Sequence, residues 1–388
     1  MLAAYSLAMA FTAEHDALRE TIRDFVTKEL RPHAEEWEAA EYFPDSVFRR
    51  MGELGFLGLR YPEKYGGQGG DYFSAIVLAE EMARAGSGGV GMAISVQAEM
   101  ATPPILRFGT EAQKQKYLVP AIQGEKIAAL GISEPDAGSD VANIRTRADR
   151  VDGHWRINGS KLYITNGVRC DYILLVCRTG KQEDGAHGIT LFLVDKELPG
   201  FTVSRKLKKV GMFSSDTAEL SFNDVEVGDD AVLGEVGQGF YNIMWELQGE
   251  RLIGAAGAIA GAEVAFEETL RWCKEREAFG RPIAKFQVNR HKLADMLTEI
   301  TVAKNFVYSV AERWDRQEYP VAEISMAKLV VGRVTSQVAD TCLQLYGGMG
   351  YMAETGISRY FRDSRLIRIG AGTDEVMKEI IAKTALGL

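Results

Sequence analysis

The chain has 388 residues, 46% apolar and 26% charged, with a formal net charge of −9, enough for two or three domains around a large core. The acid excess excludes a nucleic-acid-coating surface, which needs basic residues to neutralise phosphate. No apolar run approaches the roughly 18 residues of a membrane span.

The prefix MLAAYSLAMAF is apolar but short and lacks a basic head, so it fits neither a secretory signal nor a transit peptide; Met9 is a candidate natural start. The scattered Cys170, Cys177, Cys273 and Cys342 show no CxxC or His-rich spacing, so neither a metal site nor a disulfide framework is indicated. They read as buried, reduced thiols of a cytosol-like compartment.

From about Thr12 to Gln123 the pattern is helical, with Ala17, Ile22, Phe25 and Leu30 giving the period of the first helix. KYGGQGGDY is a glycine-rich turn without the GK[ST] of a phosphate loop, and Asp71 is placed to cap a helix over 72–85. Pro103 and Pro104 interrupt a later helix. At about Lys126 the pattern changes to β-branched and alternating segments separated by turn dipeptides, which predicts an antiparallel barrel or sandwich. Asn158-Gly159 and Asn166-Gly167 read as its turn tips. From Gly237 the helical period returns, with Leu293, Met296, Ile300, Ala303, Val307 and Val310 on one stripe, and long helices of this kind imply a bundle. The expected units are 1–125 (helical), 126–236 (β) and 237–388 (helical bundle).

WELQGERLIGAAGAIAGAE, Trp245–Glu263, has no charge from Leu252 to Ala262 and is mostly Gly and Ala. Such a helix is buried and lets a neighbour come close. Glu250 at its mouth is either a first-turn acid favoured by the helix dipole or a desolvated general base. ALGISEPDAGSD offers the amides of Ala137–Ser139 and the hydroxyls of Ser133 and Ser139 as a polar lip for a ring edge or a phosphate. Tyr163-Ile164-Thr165 could lay an aromatic beside a planar cofactor, or be an ordinary half-buried strand. Arg276 and Gln287 are donors for a pyrophosphate or a solvated helix end. The glycines of QLYGGMGY allow close backbone approach to a ligand or another subunit. In IGAGTDEVMKEII, Thr373 caps a helix whose free amides face an anion or carbonyl.

GISEPDAGSD, LYITNG, EREAFGRPIAKFQ, QLYGGMGY and RDSRLIRIGAGTDE, in this order and spacing, resemble the acyl-CoA dehydrogenase family over nearly the whole chain. The resemblance implies an α+β fold: an N-terminal α-helical domain, a middle antiparallel β-barrel domain and a C-terminal four-helix bundle. It implies one FAD per subunit, a homotetramer built as a dimer of dimers, and electron-transferring flavoprotein as acceptor. By matching position, Leu130, Ile132, Ser133, Gly138, Ser139, Tyr163, Ile164 and Thr165 would hold the flavin side. Arg276, Phe279, Phe286 and Gln287, joined by Gln344 and Gly348, would hold the FAD of a neighbouring subunit, and Thr373 and Glu375 would complete the pocket. Ser139, Tyr241, Gln248, Glu250, Arg251, Ala371 and Gly372 would meet the acyl-CoA, with Met92 and Val96 along its tail. Many members carry the catalytic Glu where this chain has Ala371; the isovaleryl-CoA and long-chain branches instead place it before an Arg-Leu, as in Glu250-Arg251-Leu252. Glu250 is therefore the expected base. A same-fold oxidase, or a non-catalytic acyl-CoA- or FAD-binding subunit, are the alternatives. The expected compartment is the cytoplasm of a bacterium or the mitochondrial matrix of a eukaryote.

Overall fold

The computed structural model describes residues 11–388, so Met9 and most of the apolar prefix lie outside the described residues. Thr12 opens α1 (Ala13–Phe25) with a capping box. Its hydroxyl accepts the His15 N–H while the His15 ring accepts the Thr12 N–H. The buried face of α1 is His15, Ile22 and Phe25, whereas Ala17 is exposed. The expected stripe is therefore shifted, because His15 is drawn inward by Asp71, 2.9 Å from its Nε2. The same Asp71 caps α2 (Tyr72–Met82) by accepting the Ser74 N–H. After α3 (Gly88–Ser95) a π-helical turn, Val96–Ala101, carries the chain to Pro103, which opens a new short helix where its missing N–H costs nothing.

Eight strands follow: β1 (Ala128–Gly131), β2 (Arg147–Val151), β3 (His154–Thr165), β4 (Tyr172–Arg178), β5 (Ile189–Asp195), β6 (Phe201–Lys206), β7 (Thr217–Val227) and β8 (Val232–Leu233). They form one sheet in the order β6-β7-β3-β2-β4-β5-β8, with β1 beside β4. Pairing is antiparallel except that β4 meets β1 and β2 in parallel. The mostly apolar β4 and β5 are wholly buried or nearly so, and the sheet's interior centres on them. Asn166-Gly167 does turn the chain, with Asn166 at φ 63°. Asn158-Gly159 does not. It lies within β3 at a register shift, and a Cβ on Gly159 would sit 2.7 Å from the Thr146 backbone. The tip between β2 and β3 is Asp152-Gly153, both at positive φ as a tight hairpin requires.

The last third is helical: α4 (Gly239–Glu275), α5 (Gln287–Asp315), α6 (Val321–Tyr346) and α7 (Asp374–Ile381). The whole expected stripe of α5 is buried. It packs with Ile259 and Phe266 of α4 and Val331 and Val338 of α6. Tyr72, Phe73 and Ile76 of α2 join the same core, so both helical regions are built on α4. The Gly/Ala run explains how: Gly257 lies against Ala79, close enough that a Cβ there would be 3.5 Å from its carbonyl. The four cysteines are buried free thiols.

Candidate active site

Glu250 is the twelfth residue of α4, which begins at Gly239. It lies well inside the helix, so the first-turn dipole reading has no basis, since that effect fades beyond the terminal turn. Glu250 as a whole is partly exposed. Burial pushes its pKa up to about 7, against the opposing pull of Arg251 and Lys328.

Those two cations also shape the loop after α6. Arg251 Nε donates to the Ala371 carbonyl at 2.9 Å. Lys328 Nζ donates to the Gly372 carbonyl at 2.6 Å and the Ile367 carbonyl at 2.8 Å. Burial lowers Lys328 to about 8. Ala371 and Gly372 both have positive φ, 55° and 100°. Among the hydrogen bonds of the described residues, none uses the Ala371 N–H. Thr373 caps α7 by accepting the Val376 N–H at 3.3 Å, and Glu375 is exposed in its first turn. The structure thus brings Glu250, Arg251, Ala371, Gly372 and Thr373 into one neighbourhood.

The polar lip is a tight turn in which Glu134 and Ala137 exchange backbone hydrogen bonds, leaving Gly138 and Ser139 exposed beyond it. Leu130, Ile132 and Ser133, which lead into it, are partly buried. The Leu162 N–H donates to the Ser133 carbonyl, which ties the lip to β3. A second register shift follows in β3 and sets Tyr163 at φ 64°, pushed outward and 69% exposed, while Ile164 faces the core and Thr165 is partly buried. The Ile164 side chain is therefore turned away from any ligand, and its carbonyl accepts the Gly167 N–H.

Arg276, Phe279, Phe286 and Gln287 lie beyond the far end of α4. Arg276 is 26 residues from Glu250, which at 1.5 Å per residue is about 39 Å along the helix. Trp272 stacks on Tyr346 with ring centroids 4.9 Å apart, which sets this segment beside Gln344 and Gly348. Phe279 is 95% exposed, and Arg276, Gln287, Gln344 and Gly348 are exposed around it. Glu250 and the 276–287 segment therefore lie far apart along α4.

Tyr241 and Gln248 are seven residues apart on one face of α4, with Arg251 next around the helix and Glu250 beyond it. The Tyr241 hydroxyl lies 3.3 Å from His187 Nε2. The Gln248 amide donates to the Met244 carbonyl at 3.1 Å, and its buried Oε1 has no partner.

Several residues escaped sequence reasoning. The first is Lys328, an unremarked lysine in an amphipathic helix. The second is the Glu134–Lys161 pair at 2.8 Å. Lys161 is 0% exposed and also donates to the Ile132 carbonyl, while Glu134 accepts the N–H groups of Arg145 and Thr146. A lysine in the strand SKLYIT and an acid in the turn SEPD were the available signals. The third is Glu246, one helical turn before Glu250, beside a cavity of 290 Å³. Glu99 and Pro103 line that cavity, rather than Met92 and Val96. No cluster of three metal-ligating side chains occurs among the described residues, and none of their helices is long and apolar enough to cross a membrane.

Three family models match in order: the acyl-CoA dehydrogenase N-terminal domain over 12–125, the middle domain over 129–225 and the C-terminal domain over 237–386. The chain is 41% identical to mouse long-chain specific acyl-CoA dehydrogenase over 374 residues, covering 96% of this chain and 86% of that one. It is 38% identical to potato isovaleryl-CoA dehydrogenase over 383 residues, covering 98% and 92%. A solved structure from Mycobacterium smegmatis, described as a putative acyl-CoA dehydrogenase, superposes with a TM-score of 0.95 at 43% identity over 98% of this chain and 99% of that one. A structure titled as electron transferring flavoprotein of Acidaminococcus fermentans matches at 36% identity and a TM-score of 0.94, covering 98% and 100%. With relatives this similar along almost its entire length, the chain belongs to the acyl-CoA dehydrogenase family, oxidoreductases acting on acyl-CoA.

Proposed function

We propose that this enzyme is FAD-dependent, that Glu250 removes the C2 proton of an acyl-CoA thioester to give the trans-2-enoyl-CoA, and that electrons pass to an electron-transferring flavoprotein. The supporting observation is the pairing of an enclosed carboxyl, titrating near 7, with an adjacent loop whose Ala371 N–H is uncommitted. A base with that pKa is about half ionised at pH 7, and its ionised form is strong enough to take a carbon-bound proton. The Ala371 N–H is a donor for the thioester oxygen, where negative charge develops as the proton leaves. Arg251 and Lys328 hold the Ala371 and Gly372 carbonyls and so fix the direction of that donor. Ser139, Tyr241 and Gln248 are the candidate contacts for the CoA part.

The residues present fit a flavin. Ser139, Gly138 and the outward Tyr163 are exposed on segments tied together through the Leu162–Ser133 hydrogen bond, and the capped start of α7 offers contacts at Thr373 and Glu375. When bound, the flavin would supply the hydride acceptor for C3. The 39 Å gap to Arg276 supports a shared site, in which Arg276, Phe279, Phe286, Gln287, Gln344 and Gly348 serve the FAD of a neighbouring copy. The likeness to long-chain and isovaleryl-CoA dehydrogenases supports the further reading of a homotetramer, a medium, long or branched acyl chain as substrate, and the bacterial cytoplasm or mitochondrial matrix as compartment.

The test is anaerobic mixing of the flavin-loaded protein with straight, branched and terpenoid acyl-CoAs. Bleaching of the flavin absorbance with formation of enoyl-CoA is expected for at least one. Loaded protein that none of them bleaches would be a binding subunit instead.

A further inference from the structure

Glu246 sits four residues before Glu250 on α4 and shares its face, about 6 Å along the helix axis. It is 2% exposed, and neither carboxyl oxygen has a hydrogen-bond partner. Native structures rarely leave two buried polar atoms unmet, and those that remain mark places where something else binds. Here the group borders the 290 Å³ cavity lined by Arg60, Glu99, Trp245, Gly249 and Trp314. Resting on the reading that Glu250 stands over C2, we infer that this cavity receives the far part of the acyl chain and that Glu246 recognises a neutral oxygen function on it, a hydroxyl or oxo group.

The choice of a neutral oxygen follows from the walls. Arg60 Nε lies 2.9 Å from Glu99 Oε2, so these two charges cancel locally. Arg60 also lies over the Tyr72 ring, 5.4 Å from its centroid, so its charge is shared between Glu99 and that ring. A terminal carboxylate would face Glu99 and Glu246, and a cation would compete with Arg60. Burial, reinforced by the nearby Glu250, raises the pKa of Glu246 and favours its protonated form. A protonated carboxyl both donates and accepts, which suits a hydroxyl or a ketone. Trp245 and Trp314, stacked with centroids 6.4 Å apart, offer an apolar wall for the intervening carbons. One helical turn spans roughly five chain carbons, which places the oxygen near C7 of a chain whose C2 meets Glu250.

The probes are octanoyl-CoA and 7-hydroxyoctanoyl-CoA, with anaerobic bleaching rates for kcat/KM and calorimetric Kd values for the matching 2-enoyl products. Wild type should favour the hydroxylated member of each pair about tenfold, a single hydrogen bond's worth. Glu246→Leu should erase or reverse both ratios, and Glu246→Gln, which keeps a donor and an acceptor, should retain them. Flavin content and thermal midpoint report folding of each variant; the wild-type ratios stand alone if Glu246→Leu fails to fold. Ratios of one in wild type, or ratios unchanged by Glu246→Leu, overturn the inference. If neither thioester bleaches the flavin, the role given to Glu250 fails instead, and the product Kd ratios still decide what the cavity binds.

Discussion

Replacing Glu250 with Gln separates chemistry from folding, because the same burial that tunes the base also burdens the fold. The pKa of about 7 lies 2.5 units above the ordinary 4.5. At 1.36 kcal/mol per unit, ionising this carboxyl costs the folded protein about 3 kcal/mol, an upper value because Glu250 is partly exposed to solvent. The sign follows from proton binding. Between 4.5 and 7 the folded state holds the proton and the unfolded state does not, so stability falls as pH rises through that window and stays lower above it. Gln carries no such burden. Glu250→Gln should therefore unfold a few degrees higher than wild type at pH 8, with the gap closing by pH 4.5. Its turnover should drop at least ~10³-fold, within the range a general base supplies, while flavin and acyl-CoA still bind. Wild-type turnover should rise with pH along an acid limb near 7. Stopped-flow bleaching and thermal midpoints at the two pH values measure both effects. Near-normal turnover would move the base to another residue, and a stability difference independent of pH would refute the buried-acid argument.

Lys328→Met removes a cation that favours the ionised base, so the acid limb of the kcat profile should move above pH 7, with Arg251→Met shifting it the same way. Lys161→Met leaves Glu134 as a buried, unpaired carboxylate; it should cost about 3–5 kcal/mol in denaturant unfolding and lower the flavin-to-protein ratio. Adding Glu134→Gln should recover part of that loss. Phe279→Ser should leave the chain's own stability within about 0.5 kcal/mol while yielding a smaller species by mass photometry and less retained flavin; an unchanged assembly would detach Phe279 from any interface. Ala371→Gly relieves a positive φ and keeps the N–H, so turnover should stay within a few-fold of wild type.

Legibility in the sequence followed the physics of each region. The α5 stripe from Leu293 to Val310 was readable because a long helix repeats its period often enough to fix a face. α1 was misread at Ala17, because a histidine's place on an apolar face depends on Asp71, 56 residues away. The Asn158-Gly159 pair has a hairpin composition, but the contact requiring Gly159 is the backbone of Thr146, which no local pattern reveals. Site residues divide the same way. Glu250, Thr373 and the 276–287 segment stood out through neighbours in the chain. Lys328 and Lys161 stand out through partners brought in by folding, and Glu246 through the cavity that folding puts beside it; a lysine in a helix or a glutamate before a glutamate carries no signal of its own.

In the proposed mechanism Glu250 and Ala371 would divide one task between a helix and a loop, with Glu250 as base and the Ala371 N–H as oxyanion donor, and the division has a structural logic. The oxyanion donor is a backbone group, so the side chain at 371 can be as small as a methyl, which suits a residue held at φ 55° where bulk is disfavoured. The base has the opposite need: a carboxyl on rigid backbone, because proton transfer depends on distance to C2. A position twelve residues into a 37-residue helix supplies that. Arg251 and Lys328 then couple the two parts, since both hold carbonyls of the loop and both pull the pKa of Glu250 down. Loss of either cation should thus disturb donor geometry and base protonation together, appearing in the height of the pH profile as well as in its position. A change confined to position would mean that the loop keeps its shape without them.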